Sequence, residues 1–260
     1  MRNIGINLNA FPSLTTAEFT AKVKALGFTN TFCMSSTPAE MKEKAETVLK
    51  SGLTFDQLHA PFKGINNMWF DNLEGEEMYR SLTDAIDCCE AFGAPVATVH
   101  LSSGPTPPTI NDIGSARYAN LVEYAAKKGI TIAFENQRFL FNLAWAFYTF
   151  NQAPNVRFCW DCGHELCATP DIEMMKLFGS KIVCTHLQDT VLGKDLHVLP
   201  FDADVDFTRV ARQLKEYDFK GCLTLEVHAP ETHYAGYTAD RYLERAYNAV
   251  CRIRDMVDGE

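Results

Sequence analysis

Eight short apolar runs rich in Val, Ile, Phe and Thr recur along the chain, each followed by a longer stretch of helical period, and this alternation leaves few folds open. The runs that read as strands are residues 3–8, 29–34, 55–60, 95–101, 130–135, 156–161, 182–187 and 221–227. Amphipathic stretches at 16–26, 38–50, 74–92, 112–128, 139–150, 171–178, 207–217 and 239–257 predict the helices between and after them. Boundary residues agree with this division. Thr15 and Asp206 stand where N-caps are wanted, and Gly27, Gly52, Gly93 and Gly129 follow helices where a left-handed residue is favoured. Eight β/α units in 260 residues, without a linker, charge block or composition break, predict one domain, a (β/α)8 TIM barrel over residues 1–260.

The strand ends carry the chemistry. Five of the seven histidines and four carboxylates close or follow an apolar run: His59, His100, Glu135, Asp161, His164, His186, Asp195, His197 and Glu226. Imidazole and carboxylate are the ligands of zinc, manganese and related divalent ions. Six of the eight strands end this way, and only a closed ring brings six strand ends together. In an open doubly wound sheet, the alternative architecture, the outer strands end far apart. No Gly-x-Gly-x-x-Gly turn points to it either. If the candidate ligands face the mouth, strand alternation sends Gln57, Thr98, Ala133, Cys159, Cys184 and Thr224 into the barrel beneath them.

Each candidate also has an ordinary explanation. A lone His is more often a hydrogen-bonded core or surface group, Asp161 and His164 could be a helix cap and a turn residue, and Asp195 and His197 lie in a loop. Glu135 and Glu226 are harder to set aside, because a carboxylate buried at the end of an apolar strand must be paired or coordinated. Cys159 and Cys162 form a Cys-x-x-Cys pair without a second pair, and Cys159 and Cys184 fall about 6.6 Å below the proposed ligands. They read as buried cysteines rather than thiolate ligands.

Composition narrows the function classes. A formal charge of -9 argues against an extended nucleic-acid surface, which relies on Lys and Arg. Nine cysteines are too few for a disulfide scaffold and odd in number, which fits a reducing compartment. No apolar run approaches the ~20 residues that cross a bilayer. A soluble cytoplasmic protein is expected, with no membrane partner.

In Phe-Glu135-Asn136, Trp-Asp161-Cys-Gly-His164, Thr-His186-Leu-Gln-Asp189, Asp195-Leu-His197-x-Leu-Pro200 and Leu-Glu226-Val-His228, the chain resembles the xylose-isomerase-like barrel superfamily. That group includes sugar phosphate isomerases and epimerases, ketose 3-epimerases, hydroxypyruvate isomerase, inosose dehydratase and endonuclease IV. The resemblance implies one divalent metal ion, Mn or Zn first and Mg or Co open, held by Glu135, Asp161, His186 and Glu226. It further implies Glu135 and Glu226 as the proton-transferring pair of a sugar or sugar phosphate isomerase or epimerase, working through an enediolate, with His164 donating to a substrate oxygen.

Endonuclease IV offers the alternative, a multi-zinc phosphodiesterase acting on abasic DNA. By that resemblance His59, His100 and Glu135 would hold one ion, the four central residues a second, and His164, Asp195 and His197 a third. The acidic charge, and loops after strands one, two and five that are short of Arg and Lys, favour sugar chemistry, in which the extra residues bind substrate. A non-catalytic metal- and sugar-binding relative is a third reading. Ketose 3-epimerases resemble one another in a Glu where this chain has Phe141 and an Arg where it has Leu192, so a free ketohexose fits poorly. The loop 61–73, with Phe62, Lys63 and Trp69, and the segment 229–238 are candidates for pocket walls or a lid, Lys63 as an anion anchor, while their aromatic residues read equally as packing. Homo-oligomerisation is left open.

Overall fold

The computed structural model describes residues 1–259. Nine short strands, β1 Ile4–Asn7, β2 Asn30–Phe32, β3 Thr54–Phe55, β4 Leu58–His59, β5 Val96–Val99, β6 Thr131–Glu135, β7 Val156–Asp161, β8 Ile182–His186 and β9 Leu223–Leu225, form two parallel ladders, β3-β2-β1-β9 and β4-β5-β6-β7-β8. Parallel bridges from Met34 to His59 and from Leu187 to Leu225 join the ladders at both seams and close the ring. The fold is therefore a TIM barrel.

The expected third strand, 55–60, is two pieces. Its first half pairs with β2 and its second with β5. Asp56 and Gln57 interrupt it because both side chains find polar partners inside the barrel, Asp56 at Thr224 Oγ1 (2.5 Å) and Gln57 at Thr98 Oγ1 (2.5 Å). The other strands stop short of their expected ends by a residue or more, apart from β7, which covers its whole run.

The helices are α1 Thr16–Leu26, α2 Pro38–Lys50, α3 Leu73–Phe92, α4 Asp112–Lys127, α5 Leu140–Thr149, α6 Cys162–Ala168, α7 Met174–Phe178, α8 Phe207–Glu216, α9 Glu231–Tyr234 and α10 Ala239–Asp258. Thr15 caps α1 and Asp206 caps α8, as the sequence indicates. Short α6 and α9, and a 3-10 turn over Ile65–Trp69, lie in segments read as loops. Pieces of four to seven residues carry too little periodicity to register. No helix among the described residues is long and apolar enough to cross a membrane.

Apolar side chains fill two layers. Outward residues of the strands meet the helices: Phe134 packs edge-on against Tyr118 of α4, and Phe158 against Phe147 of α5. Inside the ring the residues are smaller. Val96, Ala133, Cys159 and Cys184 form a separate buried cluster, with Gln57, Thr98 and Thr224 buried among them. This plug is the floor on which the mouth residues stand, and the alternation of the sequence anticipates it. All nine cysteines are unpaired.

Candidate metal centre

Glu135 ends β6, Asp161 ends β7, His186 ends β8 and Glu226 follows β9 directly, so four parallel strands deliver their last side chains to one point. One ligand atom from each lies within 4.8 Å of all the others. His186 Nδ1 stands 3.2 Å from Glu135 Oε1 and 3.1 Å from Glu226 Oε2. Three of these groups are sealed in the barrel, while the Glu226 side chain keeps 16% exposure. Glu135 Oε1, Asp161 Oδ2 and His186 Nδ1 are buried without any hydrogen-bond partner among the described residues. Polar atoms left in this state are costly, and three aimed at one point call for a shared partner.

Proton affinities show the same imbalance. Burial works to raise the Glu135 and Glu226 carboxyls, yet the charge of His186 beside both holds them well below the usual carboxylate range. Burial pushes Asp161 up to about 6, with His164 opposing. His186 is the mirror case: burial works to lower it, and the Glu226 and Glu135 carboxylates raise it well above the ordinary histidine value. With His186 neutral, three carboxylates surround one imidazole, and a cation is what the set lacks.

The tautomers fit that cation. His59 Nδ1 donates to Ala60 O (2.7 Å), His186 Nε2 to Gln57 Oε1 (3.2 Å) and His197 Nδ1 to Glu226 O (3.0 Å). Each neutral ring then turns its lone pair toward carboxylate oxygens: Nε2 of His59 to Glu135 Oε2 (3.2 Å), Nδ1 of His186 to both glutamates, Nε2 of His197 to Asp195 Oδ1 (3.1 Å). Lone pair facing lone pair is repulsive unless a proton or metal ion sits between. A second nitrogen held by a carbonyl is also the arrangement that orients metal-bound imidazoles. The residues present fit a divalent ion.

Two further sets flank the centre, His59 with His100 and Glu135, and His164 with Asp195 and His197. His100 Nε2 donates to Glu135 Oε2 at 2.8 Å. His164 reaches the mouth on α6, whose N-cap is Asp161 itself; Asp161 Oδ1 accepts the His164 N–H at 2.6 Å. The structure thus brings all nine candidate residues into one mouth. Burial works to lower His197, but the Asp195 hydrogen bond and the Glu226 charge lift it to about 9. None of the four groups contains a cysteine; Cys159 lies in the floor and Cys162 packs against His186 O and Gln188 O.

Several residues that hold this geometry give no signal in the sequence, since each acts across the barrel. Asn136 and Asn7 each clamp the backbone of a ligand-bearing segment, at Asp161 and at Val227. Gln188 Nε2 bridges Asp161 Oδ1 and Asp195 Oδ1, both at 3.3 Å. It fits because residue 163 is glycine: a Cβ there would lie 2.2 Å from Gln188 Cδ. Buried Asp189 accepts backbone N–H groups from Thr190, Ala203 and Val205 and so shapes the loop that carries Asp195 and His197. That loop holds His197 at φ +50°, a left-handed conformation that costs energy outside glycine.

A cavity of about 500 Å³ opens beside the centre, its inner wall made by His59, His197 and Glu226 and its sides by Phe11, Phe32 and Phe62. A second, of about 200 Å³, lies over Glu135, His164 and Asp195. Glu226 borders both. The candidate wall residues divide between the two readings. Trp69 is a core residue, 1% exposed, its indole N–H donating to Leu101 O (2.9 Å) and its ring packed on Tyr118 and Trp145. Exposed Lys63 borders neither cavity. From the loop 61–73 it is Phe62 that faces the site, stacked on His100.

Comparison with known proteins places the chain. The model of the xylose isomerase-like TIM barrel family matches residues 17–246. A curated relative, an uncharacterized protein of Sinorhizobium fredii (strain NBRC 101917 / NGR234), is 24% identical over 192 residues, which is 68% of this chain; the match spans 60% of that protein's length. Among solved structures, the D-psicose 3-epimerase of Clostridium cellulolyticum H10 with D-tagatose superposes with a TM-score of 0.77 at 13% identity, over 99% of each chain. An L-ribulose 3-epimerase gives 0.78 at 15% identity, over 100% of this chain and 95% of the other. The 3-keto-D-glucoside 4-epimerase of E. coli gives 0.73 at 14%, over 98% and 99%. At these identities the likeness is one of fold.

Proposed function

The chain belongs to the xylose isomerase-like TIM barrel family, and from that premise we propose that it is a divalent-metal-dependent isomerase or epimerase of a sugar or sugar phosphate. One observation carries the reading: Glu135 and Glu226 converge from opposite sides on the unpaired Nδ1 of His186. Names of the structural neighbours, which are 3- and 4-epimerases of sugars, support it.

Glu135, Asp161, His186 and Glu226 would hold the ion, and three carboxylates with one imidazole suit Mn or Zn, with Mg and Co also accommodated. Such an ion, when bound, supplies Lewis acidity and offsets developing negative charge. The chain does the rest. Glu226, the more exposed of the two glutamates, removes a proton from the carbon beside the carbonyl, or returns it; Glu135, whose Oε2 accepts from His100, works from the other face. Between them lies an enediolate. His164, whose Nδ1 donates to Asn136 O, would turn its Nε2–H from Asp195, 3.4 Å away, to a substrate oxygen in the second cavity. Phe11, Phe32 and Phe62 line the larger cavity and exclude water from the carbon chain.

Incubating Mn-loaded protein with candidate ketoses in D2O and following carbon-bound proton exchange by NMR tests the proposal. Exchange beside the carbonyl that disappears on chelation and returns with metal is the expected result. Its absence across pentuloses, hexuloses and their phosphates counts against the proposal.

A second reading rests on the two flanking sets. With His59, His100 and Glu135 on one side and His164, Asp195 and His197 on the other, three ions could be accommodated, as an endonuclease IV-like phosphodiesterase would require. Elemental analysis separates the two. About one ion per chain supports the isomerase, whereas about three zincs together with cleavage of abasic-site DNA support the nuclease.

A further inference from the structure

The wall of the larger cavity includes one carboxylate, Glu226, the imidazoles of His59, His197 and His228, and one lysine, Lys44 of α2. Lys44 is half-buried, and no hydrogen bond or ion pair engages its ammonium among the described residues. Glu40 and Glu43, its neighbours on α2, share with Lys44 a second hollow that adjoins the cavity at Thr16, yet neither forms an ion pair with its ammonium among the described residues. Its charge is felt inward. The Cys33 thiol in the cavity wall is pushed up to about 11 by burial, and Lys44 works against that rise.

We propose that Lys44 anchors an anionic group at the end of the substrate remote from the reacting carbons, so that the substrate is a ketose bearing a terminal phosphate or carboxylate. The inference rests on the isomerase reading and names its substrate class. In a chain of net acidic charge, an anionic end group is held best where a side chain of fixed positive charge reaches the cavity. Lys44 is placed to receive it, and it also sets polarity: oxygens of the reacting carbons go inward, the anion outward, and Phe11, Phe32 and Phe62 flank the carbons between. The second cavity has its own basic residue, Arg138, which is more exposed and borders a smaller space.

Calorimetric titration of the Mn-loaded protein with matched pairs tests the anchor: D-xylulose against D-xylulose 5-phosphate, and D-fructose against D-fructuronate. Wild type is expected to bind one anionic member at least about tenfold more tightly, which corresponds to about 1.4 kcal/mol. Lys44→Gln is expected to bring that preference to within about twofold of unity, while Lys44→Arg and Arg138→Gln keep it. Whether phosphate or carboxylate shows the larger preference identifies the end group. Metal-induced thermal stabilisation, measured on every variant, establishes that it is folded. Equal binding by wild type, survival of the preference in Lys44→Gln, or its loss in Arg138→Gln overturns the anchor. A preference that holds while no ketose exchanges protons overturns the isomerase reading and leaves the anchor standing. Failure of wild type to bind either pair overturns both.

Discussion

Asn136 and Asp161 are joined by two hydrogen bonds across the β6–β7 seam: Asn136 Nδ2 donates to Asp161 O and Asp161 N donates to Asn136 Oδ1, each at 2.8 Å. One carboxamide therefore fixes both backbone groups of a proposed ligand. Asn7 does the same across the β1–β9 seam, with Nδ2 to Val227 O at 2.9 Å and Val227 N to Oδ1 at 2.8 Å, one residue beyond Glu226.

Asn136→Ala strips both partners from a fully buried position. A stability loss of about 2 to 4 kcal/mol follows, from two unsatisfied backbone groups. Because Asp161 loses its fixed aim, metal affinity falls about 10- to 100-fold. Denaturant unfolding and metal titration check these separately; an affinity within about twofold of wild type would show that the clamp does not position the ligand.

Metal removal destabilises the native protein, since crowded carboxylates lose the charge that offsets them. Saturation at a hundred times Kd stabilises by about 2.7 kcal/mol, which for a chain of this size raises Tm by roughly 5–10 °C. A thermal scan after chelation, then with Mn or Zn restored, measures it. A Tm indifferent to either ion over a hundredfold range of concentration removes the basis for the centre.

Glu226→Gln keeps an oxygen for the ion and deletes the base. Proton exchange is expected to fall by about 10²- to 10⁴-fold, the usual contribution of general acid–base catalysis, with ligand binding retained. A non-catalytic relative would show no exchange to lose in the wild type, and unchanged exchange in the variant would assign the base elsewhere.

Asp56, beneath the site, sets a pH dependence of stability. Burial pushes its carboxyl up to about 6 from the ordinary 3.8, and the hydrogen bond from Thr224 opposes that rise only in part. Oδ1 has neither solvent nor partner. The folded state therefore binds the proton more tightly than the unfolded chain. Its contribution is present in full below pH 3.8 and is lost as pH rises through about 6. Asp56→Asn keeps an acceptor for Thr224 and escapes the loss. The variant is expected to be more stable than wild type by about 1 to 2 kcal/mol at pH 7, less than the full shift implies because the residue is only half-buried, and to match wild type near pH 4. Denaturant midpoints at the two pH values decide it; a variant weaker at pH 7 refutes the assignment.

The periodicity of the chain was enough to specify eight β/α units, the barrel, and the small-residue floor of Ala133, Cys159 and Cys184, because strand alternation and helical period are local properties. It also named the nine residues of the mouth, since each stands at the end of an apolar run. What local pattern cannot carry is which atoms meet. Only the folded ring shows that His186 offers Nδ1 because Gln57, 129 positions earlier, holds its Nε2. Asn7 serves Glu226 from 220 positions away at Val227, Trp69 turns into the core, and Lys44 comes to the cavity from a helix that reads as ordinary surface. Closure of the barrel brings distant strand ends into contact, and the hydrogen bonds that aim each ligand exist only across those seams.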